Sequence, residues 1–209
     1  MATTFQDDVR CNGGLVVVGT ISPPRARSEL AQTALAEYPI PLTAFRVWDA
    51  LQTNLPGTAA ADDLAISGGT WATHSLYLTA GDLKAAGATT RRARCVFALP
   101  PEYDAGETVN IRISAGMGTT IADTSCTVDV EIYVNGRDGT IDGSDLVTTA
   151  ATTMNSTTFA NRDFVVTATA LLPGDELDIR VSITCTDGAT ATVVEPKLGA
   201  IEMLLDIRG

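Results

Sequence analysis

The sequence is poor in the residues that most enzyme active sites use. It has one histidine, His74, and aromatic residues make up 5% of the 209-residue chain. A catalytic triad, a histidine-rich zinc site or a histidine general base would each depend on this one side chain. The surrounding residues 71–76 contain neither metal-ligand spacing nor a nucleophile elbow. His74 is therefore expected in a loop or at a strand edge, and no catalytic, cofactor-binding or metal-binding residue is predicted.

Clustered basic residues and long apolar runs are also scarce. The 25 acidic and 14 basic side chains give a formal charge of −11, which disfavours binding to nucleic-acid phosphates. The one basic cluster, Arg91, Arg92 and Arg94, leads into an apolar segment and is expected to rim a strand. No segment has the roughly 18–20 apolar residues that cross a bilayer, and the first residues show no secretory signal pattern. We expect neither nucleic-acid nor membrane partners, and synthesis in a cytoplasm.

The four cysteines include no CxxC pair. Cys95, Cys126 and Cys185 each fall on the apolar parity of a predicted strand, where a free thiol is a small buried hydrophobe. In the expected reducing compartment, free thiols are favoured over a disulfide. Cys11 lies in a polar segment beside glycines and is predicted to be an exposed thiol.

Strict alternation of apolar and polar residues is what the sequence has in abundance. Leu177, Ile179, Val181 and Ile183 share one parity, and polar residues share the other. Because side chains on a strand point alternately to opposite faces, this pattern predicts a strand with one face on a core. Similar segments lie at 92–99, 109–114, 128–134, 164–168 and 201–207, separated by glycine-containing turn signals. They predict an all-β fold, an antiparallel two-sheet sandwich that is jelly-roll-like.

One phrase occurs twice, as LPPEYDAGETVNIRI at 99–113 and as LLPGDELDIRVSI at 171–183. Each copy combines a proline, a turn of glycine and acidic residues, and an alternating strand. The two copies are interpreted as equivalent corners of the sheets.

The length suits a single sandwich domain at 25–209, preceded by an N-terminal arm at 1–24. Residues 25–60 are expected to form a partly helical or irregular extension. Within it, residues 28–37 have modest helical character, and residues 43–51 suit either a strand or one helical turn.

An acidic segment at 138–145 has the carboxylates that calcium prefers, in Asp138, Asp142 and Asp145. It is similar to the tail of an EF-hand loop, but Val134 and Gly136 occupy the places of the first two ligands. A hairpin loop with a solvated acidic rim is therefore favoured over a calcium site.

Other polar and aromatic residues are interpreted as surface features. Asp129, Glu131 and Asp178 are predicted on solvated strand faces, where Arg112, Arg180 and Arg208 can pair with them across strands. A paired-carboxylate site of glycosidase type stays open, because the fold alone sets such partners. A sugar-stacking platform could be built from Trp48, Trp71, Tyr77 and Tyr103, but they share no strand parity.

The Thr/Ala-rich acidic composition and three segments resemble structural proteins of tailed-phage virions, in particular capsid decoration (cement) proteins. The segments are YPIPLTAFRVWDALQTNLPGTAAADDLAISGG at 38–69, LTAGDLKAAGATTRRARCVFALPPEYDAGETVNIRI at 78–113 and ATATVVEPKLGAIEMLLDIRG at 189–209. The resemblance implies a β-sandwich that binds the major capsid protein on the virion surface as a homo-oligomer, with a trimer favoured. It carries no site residue over to this chain.

Capsid decoration is accordingly the leading hypothesis from the sequence. A carbohydrate- or receptor-binding β-sandwich module is the alternative, and a tail or neck component of a virion is a third. An enzyme is the least favoured, because only a carboxylate mechanism would be open to it.

Overall fold

The computed structural model describes residues 35–84, 87–119, 124–136, 138–188 and 193–208. Within them the only helical element is a 3-10 turn at Leu42–Ala44, and no helix is long and apolar enough to cross a bilayer. The strands are β1 (Ala36–Pro39), β2 (Arg46–Val47), β3 (Ala50–Asn54), β4 (Ala65–Gly68), β5 (Leu76–Thr79), β6 (Thr89–Ala98), β7 (Val109–Met117), β8 (Thr124–Asn135), β9 (Ile141–Asp142), β10 (Thr152–Thr153), β11 (Ala160–Val166), β12 (Glu176–Asp187) and β13 (Pro196–Leu205).

These strands form two antiparallel sheets. Sheet A has the order β11, β7, β13, β5, β4. The strand β1 also pairs with β13, along residues 202–205, whereas β5 pairs with it at residues 197–198. Sheet B has the order β10, β8, β12, β6, β2, β3, and β9 pairs with β8. The predicted jelly-roll-like, two-sheet sandwich is confirmed.

The core fills the space between the sheets with the apolar parity of the long strands. On β12 it contains Leu177, Ile179, Val181, Ile183 and Cys185, all fully buried. Burying each such aliphatic side chain contributes roughly 1.5–3 kcal/mol. The opposite parity of β12 faces outward and carries the charged residues of the site described below.

The two copies of the repeated phrase meet at one end of the sandwich. The N–H of Leu99 donates to the carbonyl oxygen of Asp175, and the N–H of Gly174 donates to that of Leu99, each at 2.9 Å. The N–H of Gly106 donates to the carbonyl oxygen of Leu171 at 3.1 Å. Gly106 and Gly174 both have positive φ, which glycine adopts without strain. The repeat therefore marks two corners of the sheets whose backbone N–H and carbonyl groups hydrogen-bond to each other.

Cys126 and Cys185 form a disulfide, which corrects the prediction that they are free thiols. They lie directly opposite each other on β8 and β12, with Cα atoms 4.2 Å apart, close to the spacing of a non-hydrogen-bonded antiparallel pair. The prediction assumed a reducing compartment, and the sequence alone does not show that β8 and β12 pair Cys126 with Cys185. Cys95 is free and buried, as predicted, and burial raises the pKa of its thiol.

The N-terminal part of the described chain is more regular than predicted. In place of a helix ending at residue 37, Ala36 and Glu37 belong to β1, because β13 offers them backbone partners. Residues 43–51 form the end of the 3-10 turn, β2, a two-residue turn and the start of β3. Pairing with sheet edges outweighs weak local helix propensity here. Residues 28–34, the arm at 1–24 and Cys11 lie outside the described residues.

Tyr103 gives the fold a pH dependence. It is fully buried, its hydroxyl donates to the carbonyl oxygen of Glu107 at 2.8 Å, and burial raises its pKa to about 12. In the unfolded chain the phenol ionises near pH 10. The stability that the neutral phenol contributes is therefore present below about pH 10 and lost as the pH rises toward 12. We expect this loss to reach about 2–3 kcal/mol.

The measurement is urea unfolding of the wild type and Tyr103→Phe at stepped pH. The variant should begin about 1 kcal/mol less stable, because it lacks the hydroxyl's hydrogen bond. It should then lose less stability than the wild type between about pH 10 and 12. Parallel losses would show that Tyr103 does not cause the dependence.

Candidate functional site

A hairpin at one edge of sheet B places Trp48 over the outer face of the sheet. Phe45, just before β2, is buried in the core, and Arg46 of β2 pairs with Arg94 of β6. Trp48 and Asp49 then form the tight turn between β2 and β3. The buried phenylalanine and the strand pairing thus fix where the indole lies.

Three neighbouring strands below the hairpin present charged side chains on this outer face. Arg180 of β12 lies between Arg94 of β6 and Glu131 of β8. Two residues away along β12, Asp178 lies opposite Tyr133 of β8. All five residues have the parity opposite to the core residues, as the alternation predicts.

Ion pairs hold these charged side chains in place. Asp178 is only 4% exposed and accepts a hydrogen bond from Nε of Arg94 at 2.6 Å, while Nη2 of Arg94 contacts its other oxygen. This interaction raises the pKa of the Arg94 guanidinium despite its partial burial. Arg180 pairs through Nη2 with Glu131. Because the Arg94–Asp178 pair is bidentate, it leaves both side chains little freedom to rotate.

The indole of Trp48 is held by three contacts of its own. Its N–H donates to Oδ2 of Asp62 at 2.8 Å. The guanidinium of Arg92 lies 5.2 Å from the ring centroid, and that of Arg180 lies 5.6 Å from it. Both distances are within the range of favourable cation–π interactions. Contacts within the protein therefore hold this partly buried aromatic ring in place.

Together these residues line a shallow depression of about 200 Å³, here named the sheet B site. Its lining consists of Trp48, Arg94, Tyr133, Ile141, Asp178 and Arg180. Ile141, on β9, is 49% exposed and supplies an aliphatic edge. The site thus combines aromatic and aliphatic surface with charged side chains that ion pairs hold in place.

In the predicted acidic loop, the carboxylates of Asp138 and Asp145 bond nearby backbone and hydroxyl groups. Oδ1 of Asp138 accepts hydrogen bonds from the hydroxyl of Thr140 at 2.7 Å and from its N–H at 3.1 Å, which lower the pKa of Asp138. Oδ1 of Asp145 accepts from the N–H groups of Ile132 and Val147, each at 3.0 Å. In the part of the chain that the structure describes, no group of three or more His, Cys, Asp or Glu side chains could hold a metal ion.

The loop between β4 and β5, residues 69–75, contains His74 and Trp71. Its backbone closes through bonds from the N–H groups of Thr73 and His74 to the carbonyl oxygen of Thr70, each at 3.0 Å. Both side chains project into solvent, and Trp71 is 94% exposed. This loop is a second exposed feature, separate from the sheet B site.

The four aromatic residues considered for a sugar-stacking platform do not come together. Tyr103 is in the core, Tyr77 lies under Nζ of Lys197 at 4.5 Å from its ring centroid, and Trp71 is in the β4–β5 loop. Only Trp48 belongs to the sheet B site.

The predicted cross-strand ion pairs form in part. Arg180 pairs with Glu131, as the parity suggests. Arg112 instead bonds Asp163 of β11 through Nε at 2.8 Å, and Arg208 bonds Asp104 at 3.1 Å. Arg112 lies on β7 in sheet A, so the carboxylates of sheet B are out of its reach.

Tyr133, Arg94 and Ile141 are the residues of the site that sequence reasoning missed. The signal was present in part, since Tyr133 shares its parity with Asp129 and Glu131. Arg94 was interpreted only as part of a basic rim. What the sequence lacks is the order β6, β12, β8, which brings these residues side by side.

Comparison with known proteins gives a fold likeness only. No family model and no curated protein matches the chain. The CBM22-1 xylan-binding domain of Paenibacillus barcinonensis Xyn10C aligns at 9% identity and a TM-score of 0.41, covering 86% of this chain and all of that domain. The second N-terminal cellulose-binding domain of Cellulomonas fimi β-1,4-glucanase C aligns at 14% identity and a TM-score of 0.40, covering 84% of this chain and 95% of that one. The K1 cleaved adhesin domain of Porphyromonas gingivalis Lys-gingipain aligns at 10% identity and a TM-score of 0.40, covering 81% of this chain and 97% of that domain.

The chain is therefore a two-sheet β-sandwich with an ordered aromatic and ionic site on one outer face. These neighbours are not virion proteins, so the likeness to phage structural proteins is not confirmed beyond the β-sandwich itself. At TM-scores of 0.40–0.41, the likenesses carry no argument about the ligand.

Proposed function

We propose that this protein is a non-enzymatic binding module that holds a carbohydrate at the sheet B site. The observation that carries the proposal is the placement of Trp48 and Tyr133 beside rigid ion pairs in one shallow depression. Sugar rings have apolar faces that pack on aromatic rings, and their rims carry hydroxyl groups. The site presents both kinds of surface at once.

The polar side chains of the site suit hydroxyl groups in particular. A hydroxyl donates one hydrogen bond and accepts others, so it is best bound where donors and acceptors alternate. Arg94 and Arg180 provide donors, and the partly exposed carboxylate of Glu131 beside them provides acceptors, on adjacent strands. Because the ion pairs fix these groups beforehand, a ligand has little side-chain entropy to remove.

The two tryptophans of the chain allow this proposal to be tested cleanly. In a Trp71→Phe background, Trp48 is the only indole, so its fluorescence reports directly on the sheet B site. We expect a glycan array, with xylan and cellulose oligosaccharides included, to yield ligands that change this fluorescence. Trp48→Ala should weaken their binding about tenfold or more, since truncated tryptophans at binding sites commonly cost that much.

Trp71→Ala is the matched control, because it removes an equally large ring from a remote loop. Its affinity for the same ligands should stay within about twofold of the wild type. The proposal fails if no glycan binds, or if Trp48→Ala binds as the wild type does.

Capsid decoration, as a homo-oligomer on a virion surface, is the second candidate. The observation that favours it is Trp71, which projects from a closed loop and has no described role in the fold. Exposed tryptophans on ordered loops are frequent anchors of protein interfaces. The same two variants separate the candidates: under this one, Trp71→Ala and not Trp48→Ala would reduce co-sedimentation with phage capsids.

A further inference from the structure

Arg92 differs from the other arginines of the described chain, because its guanidinium has no hydrogen-bond or ion-pair partner there. The others bond a carboxylate or a backbone carbonyl; they are Arg46, Arg91, Arg94, Arg112, Arg162, Arg180 and Arg208. Arg92 rests only against the indole of Trp48. Its N–H donors make no hydrogen bond within the described chain, and the guanidinium lies beside Trp48, which lines the sheet B site.

Arg180 adds a second unsatisfied donor near the same indole. Its Nε–H is buried and has no hydrogen-bond acceptor among the described residues. Burial lowers the pKa of Arg180, and the charge of Arg92 lowers it further, against the opposing effect of Asp129. Each of the two guanidiniums beside Trp48 therefore has at least one N–H that makes no hydrogen bond within the described residues.

Four carboxylates lie around Trp48 and Arg92, those of Asp49, Asp62, Asp63 and Asp129. Asp129 lies across β12 from Arg92, with only the small side chain of Ser182 between their strands. Asp62 is bonded to the N–H at the edge of the indole, whereas Arg92 lies over the ring. None of these four carboxylates forms an ion pair with Arg92, so its guanidinium can still take a planar acidic group.

We propose that the glycan of the sheet B site carries a carboxylate, as uronic acids do, and that Arg92 binds it. This inference rests on the proposed carbohydrate-binding function. The ligand's sugar ring would pack at Trp48 and Tyr133, and its carboxylate would lie against the fork of Arg92. The net charge of −11 repels acidic polymers at long range, but ions at about 0.15 M screen that repulsion beyond roughly 8 Å.

The test compares acidic oligosaccharides with their own methyl esters. Oligomers of polygalacturonate, hyaluronan and alginate, together with neutral xylan and cellulose oligomers, are titrated at about 0.15 M salt. We expect at least one acidic oligomer to bind about tenfold more tightly than its methyl ester, as a charge-assisted contact allows. Arg92→Gln should remove that preference while retaining binding of the ester.

Arg112→Gln is the charge-matched control, because it removes one positive charge from sheet A and should leave the preference intact. Arg92→Lys should retain only part of it, since an ammonium cannot form the bidentate contact. Equal affinity for acid and ester, or neutral ligands alone, would overturn the inference and leave the carbohydrate site standing. An array without any ligand would overturn both.

Discussion

Replacing Cys126 and Cys185 together by alanine should lower the free energy of unfolding by about 4 kcal/mol. The disulfide closes a loop of sequence separation 59, and the chain-entropy relation for such a loop gives this magnitude. The cross-link also joins β8 and β12, two adjacent strands of 12 residues each, at a fully buried position. Urea unfolding of the oxidised wild type and the double variant measures the difference.

Cys95→Ala provides the control, because it shortens an equally buried cysteine that cross-links nothing. It should cost about 1 kcal/mol, as the loss of one methyl-sized group does. A non-reduced digest should yield one peptide pair joined through Cys126 and Cys185. If that pair is missing, or if reductant leaves the unfolding midpoint unchanged, the disulfide does not stabilise the fold.

Arg94→Ala should destabilise the protein by about 3–5 kcal/mol, because it leaves the buried carboxylate of Asp178 without its partner. Asp178 is 4% exposed in the folded protein, so solvent screens this pair little. Replacing both residues with leucine should cost much less than Arg94→Ala alone, since no buried charge then remains. Denaturant unfolding of Arg94→Leu, Asp178→Leu and the variant with both substitutions gives the coupling energy directly.

Arg112→Ala serves as the comparison, because Arg112 makes the same bidentate contact with Asp163 on the other sheet. The side chain of Asp163 is 44% exposed, so solvent screens that pair and its loss should cost about 0.2–1 kcal/mol. Equal costs for Arg94→Ala and Arg112→Ala would mean that the burial of Asp178 does not matter.

The sequence predicts much of the fold because its alternation is a local property. The alternation in residues 177–185 predicts both a strand and which of its faces is buried, and the structure confirms both predictions. Pairing is different, because it depends on register between distant segments. The burial of Cys126 and Cys185 was therefore predictable, whereas their bond was not.

The same distinction explains what could be predicted of the site. The parity of Glu131 and Arg180 predicts that both lie on solvated strand faces, where they can pair across strands. The structure shows this ion pair. Arg112 has the same kind of parity, yet its strand joins the other sheet and its partner is Asp163. Trp48 was unassignable because residues 43–51 suit two conformations, and only contact with β6 selects the hairpin.

The position of β13 has a consequence for how the chain is made. This strand holds β7 along one edge and both β5 and β1 along the other, and it pairs Tyr38 with Met203. Such distant pairing slows folding, because the entropy of closing a long loop must be lost first. On the ribosome, sheet A cannot close before residues 196–205 emerge. Until then, the apolar inner faces of β7 and β11 are open to chaperones and to other nascent chains.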